Sequence, residues 1–240
     1  MSAPLFIREI LGLRAGVPNN ADIDSETSRA IAFEMLRILG VDRVTVPKEA
    51  PGTALEIAVA AYLAEALPAA DPRREWEADR RKLITDFRQY EHLARLDAIV
   101  REHPTLRTEI GFDYLIKPDV TVGILVGGEA PPLLHAAISC KWTIRSDRVQ
   151  NIRHEGVILT RSRRGPQPHI VTVTAEPLPT RLAAIARGTG EVDTVYHVAL
   201  DELIQATATA GNAEQRAVLD EIITQNRLAD FESLVGVLVI

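Results

Sequence analysis

The chain has 240 residues, 46% hydrophobic and 25% charged, the size and balance of one globular domain. Its formal charge of −6 argues, as an average, against a nucleic-acid partner, and a single cysteine, Cys140, excludes an intramolecular disulfide. No long apolar run with a small-residue cleavage site opens "MSAPLFIREILGLRAG", and no stretch nears the ~20 continuous apolar residues of a membrane span, so a reducing, cytoplasmic setting without a membrane is expected.

In chain order, the polar "VPNNADIDSETS" ends in a helix-start signal and leads into "RAIAFEMLRILG", whose helical spacing stops at Gly40. "VPKEAPG" reads as a loop, and Thr53 to Leu67 as a buried amphipathic helix interrupted by Glu56 and Glu65. "DPRREWEADRRKLITDFRQYEHLARLDAIVREHP" reads as a charged connection running into a long helix that stops before Pro104. The period then changes. "YLIKPDVTVGILV" and "LLHAAISCKWTI", joined by "GGEAPP", form an expected β-hairpin. "SDRVQNIRHEGVILTRSR" is a helix with Ser146 as its N-cap, "HIVTVTAEP" a buried strand, "TRLAAIARG" a helix or helical turn, and "VDTVYHVAL" another strand. The fold class is therefore α/β, a central mixed β-sheet flanked by helices.

Averages hide patches. From Lys141 to Arg164 seven basic residues stand against two acidic ones, which leaves +5 and an electrostatic footprint inside an acidic protein. On the hairpin, Asp119 follows Pro118 on the first strand, while Ser139 and Lys141 alternate onto one face of the second, because strand side chains repeat every two residues. If Asp147 begins the next helix, Arg148, Ile152 and Glu155 share a face that brings Glu155 back over the hairpin. Two carboxylates and a lysine suit metal-assisted phosphodiester hydrolysis: carboxylate oxygens hold Mg²⁺, the metal acidifies a water, and the ammonium meets charge on the phosphate. The spacing alone is weak, and a solvated hairpin face would look the same. His135 and Cys140 lie on opposite strand faces with no glycine elbow, and the six histidines lack paired-ligand spacing, so neither a thiol hydrolase nor a zinc site is indicated.

The stretches "PLLHAAISCKWTIRSDRVQN", "PHIVTVTAEPLPTR" and "GTGEVDTVYH", with weaker ones at "NNAD", "GTALE", "QYEHL" and "YLIKPD", resemble the NgoMIV restriction endonuclease family, in the CCGG-cutting group of PD-(D/E)xK nucleases. The resemblance implies one restriction-endonuclease-like domain over 1–240: mostly helical to residue 110, a catalytic and DNA-reading core over 111–200, and a helical C-terminal part over 201–240. It implies that Asp119, Lys141 and Glu155 are catalytic, with Ser139 beside them and Glu56 on a supporting helix, and that Asp119, Glu155 and the Cys140 carbonyl hold Mg²⁺. Glu56 could equally be a structural partner for an arginine.

Arg145, Asp147 and Arg148 would read the inner CCGG, since arginine forks fit guanine O6 and N7 while a carboxylate accepts from cytosine N4. A capped helix with a surface ion pair is the plainer account of that cluster. Asp22 and Arg181 match positions that read the outer G·C pair of GCCGGC, whereas Glu49 departs from a pattern with glutamine, where a carboxylate cannot donate to base acceptors. The expected partner is double-stranded DNA, the assembly a homodimer, with a tetramer a second option that the short "GGEAPP" turn argues against. The implied activity is that of a type II restriction endonuclease cutting G/CCGGC to leave 5′-phosphates. A catalytically silent DNA-binding protein would keep the reading cluster but lose the acid–lysine set, and a structure-selective repair nuclease would lack the reading cluster.

Overall fold

The computed structural model describes residues 3–42, 49–111, 114–144, 146–188 and 190–240, without the side chains of Pro104, Ile110, Ser146, Asp147 and Arg148. An opening helix α1 (Leu5–Ile10) leads to a small hairpin, β1 (Leu13–Arg14) and β2 (Val17–Pro18). Helix α2 (Glu26–Leu39) starts where Ser25 Oγ accepts the Ser28 N–H and stops where Gly40 turns left-handed at φ 68°. Helix α3 (Pro51–Ala70) has proline at its first position, where the missing N–H costs nothing. Then come β3 (Glu75–Asp79), α4 (Glu91–Glu102), α5 (Pro104–Ile110), β4 (Val120–Leu125) and β5 (Leu133–Lys141). The chain closes with α6 (Ser146–Ser162), β6 (His169–Thr174), α7 (Pro179–Ala186), β7 (Thr194–His197), α8 (Leu200–Ala210), α9 (Ala213–Thr224), β8 (Leu228–Asp230) and α10 (Ser233–Leu238).

The six strands β3-β4-β5-β6-β7-β8 form one mixed sheet in that order. The first two pairings are antiparallel and the last three parallel, so the fold class read from the sequence is the one observed. Parallel pairing brings the C-terminal ends of β5, β6 and β7 to one edge, where α/β folds place ligands. Strand β6 is buried almost throughout, as its unbroken branched run requires. The main core spreads from this sheet to α2, α3, α8 and α10, and a second apolar cluster around Phe87, Tyr90 and Leu159 sits under α6. There Tyr90 Oη donates to the Leu159 carbonyl at 2.8 Å, which ties α6 down.

Several expectations are corrected. The charged connection contains β3, which pairs with β4 along five residues; edge strands carry charge to discourage further pairing, and that charge masked the alternation. The helix before Pro104 does stop there, but Pro104 opens α5. The C-terminal part holds β8 as well as helices. Helix α6 already includes Ser146, so its cap position falls on Arg145, outside the described residues. Asp119 lies just before β4 rather than on it. Helix α3 is long and apolar enough to cross a membrane by length and composition. It buries only the stripe Leu55, Val59, Leu63 and Leu67 against the core, and half of its other residues are alanine, so it is less amphipathic than expected.

Candidate active site and DNA-reading cleft

The register of the hairpin places Val120 opposite Ile138, which sets Asp119 beside Ser139 at the sheet's edge. Asp119 Oδ2 accepts the Cys140 N–H at 2.8 Å and Lys141 Nζ at 2.6 Å. A strand residue's N–H and C=O lie on the same edge, so the Cys140 carbonyl also faces Asp119. The Cys140 thiol points the other way into the core, where burial raises its pKa well above the ordinary value.

Glu155 reaches the same place from α6. Burial raises its carboxyl, Lys141 draws it back down, Asp119 pushes it up again, and a hydrogen bond from Ser139 lowers it. Two carboxylates with one lysine between them form a half-buried acid pair short of positive charge. Among the described residues no three His, Cys, Asp or Glu side chains converge as a metal cage. The oxygens at hand are two carboxylates and a backbone carbonyl, all hard donors of the kind that would suit Mg²⁺, an ion that keeps several waters and takes one or two protein carboxylates.

Glu56 lines the same cleft, of about 580 Å³, together with Lys141, Asn151 and Glu155. It accepts a hydrogen bond from Arg80 Nη2 at 2.8 Å, so an arginine partner and a place in the cleft hold together. A second cleft of about 650 Å³ adjoins the first and shares Arg14, Asn19 and Thr143 with it. Asp22 and Arg181 lie here, joined by an ion pair, although 159 residues apart in sequence. The loop bearing Asp22 is pinned to the strand ends: the Asn19 carbonyl accepts from Trp142 Nε1 at 2.9 Å, and Asn20 Nδ2 donates to the Ala175 carbonyl at 2.9 Å.

Of the proposed inner readers, Arg145 lies outside the described residues, as do the side chains of Asp147 and Arg148, whose backbone forms the first turn of α6. Glu49 is exposed just before α3. Within the basic footprint Arg153 donates to the Ala184 carbonyl and Arg163 to the Thr160 carbonyl, bonds that orient both guanidinium groups and leave their charge in place.

With this geometry in view, the model of the NgoMIV restriction enzyme family matches residues 6–126 and 124–236, nearly the whole chain. The chain belongs to the NgoMIV restriction enzyme family. The type II restriction enzyme NgoMIV of Neisseria gonorrhoeae is 36% identical over 253 aligned residues, covering 91% of this chain and 88% of that protein. A solved structure, the type IIF restriction endonuclease Bse634I with cognate DNA, is a more distant likeness, with a TM-score of 0.41, 13% identity and 95% of each chain covered. As an NgoMIV-family member the chain is a type II restriction endonuclease, a site-specific hydrolase of DNA.

Sequence reasoning missed three residues: Arg14, which lines both clefts, Arg80, which pairs with Glu56, and Glu176, buried beside Arg181. Arg80 was hidden by the unrecognised β3, Arg14 sits on a two-residue strand, and Glu176 lies inside the quoted "TAEP" without having been singled out. An acidic residue at the end of an apolar strand was the available signal for Glu176, since buried carboxylates are rare unless they are partnered.

Proposed function

We propose that the protein is an Mg²⁺-dependent endonuclease that cuts both strands of a CCGG-containing palindrome, G/CCGGC, and leaves 5′-phosphates, acting as a homodimer. The observation that carries the reading is the convergence of Asp119 and Ser139 on Lys141 and Glu155, which line a cleft contiguous with the one holding Asp22 and Arg181.

Asp119 and Glu155 would hold the ion, with the Cys140 carbonyl as a further oxygen donor. When bound, Mg²⁺ would supply a water acidified enough to attack phosphorus and charge to balance the leaving oxygen. Lys141 Nζ, now on Asp119 at 2.6 Å, is near enough to turn to a non-bridging phosphate oxygen and meet its developing charge. Ser139 fixes the Glu155 carboxylate by its hydrogen bond. Glu56, balanced by Arg80, would add a carboxylate to the cleft without leaving a bare charge. In the second cleft Asp22 and Arg181 already stand side by side, as reading one G·C pair demands: the carboxylate for cytosine N4, the guanidinium for guanine O6 and N7. Arg145, Asp147 and Arg148 would read the inner pairs. A palindrome read by one such surface per subunit calls for two subunits about a two-fold axis.

Short duplexes test this directly. GCCGGC should be cut with Mg²⁺ and spared with EDTA, and a duplex with the outer pair changed to A·T should be cut at least about tenfold more slowly. Equal cutting of both would remove the outer pair from the word, and cutting in EDTA would remove the metal.

A further inference from the structure

We propose that Glu176 is a positioning residue for base reading: its buried carboxylate ties the chain leaving β5 toward Arg145 to the turn leading to Arg181, holding both reading segments in register. The inference rests on the reading of Arg145 and Arg181 given above.

Glu176 follows β6 by two residues and is fully buried. Its Oε2 accepts the Ile144 N–H at 2.7 Å, one residue before Arg145. Its Oε1 accepts the Leu178 N–H at 3.1 Å, at the position that caps α7. Arg181 Nη1 lies 4.0 Å from Oε2, while Nη2 is engaged by Asp22. One side chain therefore touches the stem of each reading segment and flanks the arginine of the second. Its own backbone is fixed too: the N–H donates to Thr174 Oγ1 at 3.1 Å. The Ala199 N–H donates to His197 Nδ1, which leaves the imidazole proton on Nε2, aimed at the Glu176 carbonyl at 3.2 Å.

Both carboxylate oxygens are in use, and only an ionised carboxylate offers two full acceptors; an acid or an amide offers one and presents a donor at the other. The charged groups facing it are Arg181 from α7 and Asp22 from the loop after β2. His197, at the end of β7, is neutral, its pKa lowered to about 4 by burial. Burial raises the Glu176 carboxyl to about 7, against the pull of the Ile144 N–H, Arg181 and the Leu178 N–H, with Asp22 adding to the rise. As pH falls through that value, one tether is lost and Arg181 keeps Asp22 alone as its anion. Registration of the outer reader should then loosen.

The experiment measures affinity of the full-length protein for labelled GCCGGC and ACCGGT duplexes by fluorescence anisotropy, in EDTA, from pH 6 to 8.5. The ratio of the two affinities cancels sequence-independent charge effects. The wild type should discriminate at least about tenfold at pH 8.5 and lose most of that by pH 6. Glu176→Gln should show the low, acid-pH ratio throughout. A wild-type ratio flat with pH overturns the inference and needs no variant to fold. So does a folded Glu176→Gln with full discrimination at pH 8.5. Arg181→Ala separates the two levels: if it abolishes outer-pair discrimination while Glu176→Gln does not, the reading of Arg181 stands and only the role of Glu176 falls. If Arg181→Ala discriminates like wild type, the reading itself falls and takes this inference with it.

Discussion

Gly156 directly follows Glu155 in α6, where a side chain has no room. A Cβ there would meet the Glu191 carbonyl oxygen at 2.2 Å and its carbon at 3.0 Å, where ordinary contact begins at 3.4 Å. Gly156→Ala must therefore move α6 or the turn bearing Glu191 by roughly 1 Å, since backbone cannot swing aside as a flexible side chain would. Two effects compete. Alanine returns about 1 kcal/mol of helix propensity at a mid-helix glycine, while overpacking costs about 1–3 kcal/mol. The net loss, up to about 2 kcal/mol, should lower Tm by a few degrees at this chain length. The larger effect should fall on chemistry: α6 carries Glu155, and a misplacement of about 1 Å can cost roughly 100-fold in rate. Melting by circular dichroism, with single-turnover cleavage of a GCCGGC duplex, separates the two. A folded variant that cleaves at the wild-type rate would refute the reasoning, because either α6 would not have moved or Glu155 would not depend on its seat.

Lys141→Ala and Asp119→Ala should each abolish cleavage yet leave specific DNA binding largely intact in a gel-shift assay, and excess Mg²⁺ should not restore the Asp119 variant; cleavage near wild type by either would sink the site. Stability should carry the mark of Glu176. Its folded pKa of about 7 lies above the ordinary carboxylate value, so its contribution is full below about pH 4.5 and is lost, by about 3 kcal/mol, as pH rises through 7. The Tm of Glu176→Gln relative to wild type should therefore climb from pH 5 to pH 8, and a constant difference would contradict the assignment. Finally, light scattering should report a dimer, and one-site plasmids should be cut as readily as two-site plasmids, because residues 126–132 joining β4 to β5 offer little surface toward the ~1,000 Å² a stable interface needs. A tetrameric mass with a strong preference for two sites would show that another surface joins the dimers.

The parts legible in the sequence are those whose signal is local. Helix α2 announced itself by Ser25 and Gly40, the β4–β5 hairpin by branched residues around a glycine–proline turn, and Ser139 with Lys141 by a two-residue period that needs no tertiary knowledge. Glu155 was placed by the helical face it shares with Arg148 and Ile152, and it reaches Ser139 from α6. What stayed hidden depends on distant partners. Strand β3 alternates charged residues with Trp76 and Ala78, a pattern that only pairing with β4 makes a strand, and Arg80 vanished with it. Strand β8 is three residues long, too short for any period to show. The ion pair of Asp22 and Arg181 needs the sheet to bridge their separation; "NNAD" and "LPTR" pointed to it only through family resemblance.

The central claim is a metal-dependent double-strand cut at one word, and mapping the fragment ends of a digested plasmid tests it most directly. A plasmid of known sequence, incubated with the purified protein and Mg²⁺, should fall into discrete bands whose 5′-phosphorylated ends map between G and CCGGC at every GCCGGC and nowhere else, with EDTA abolishing the pattern. Nicks without double-strand breaks, ends scattered over unrelated sequence, or an intact plasmid would contradict it.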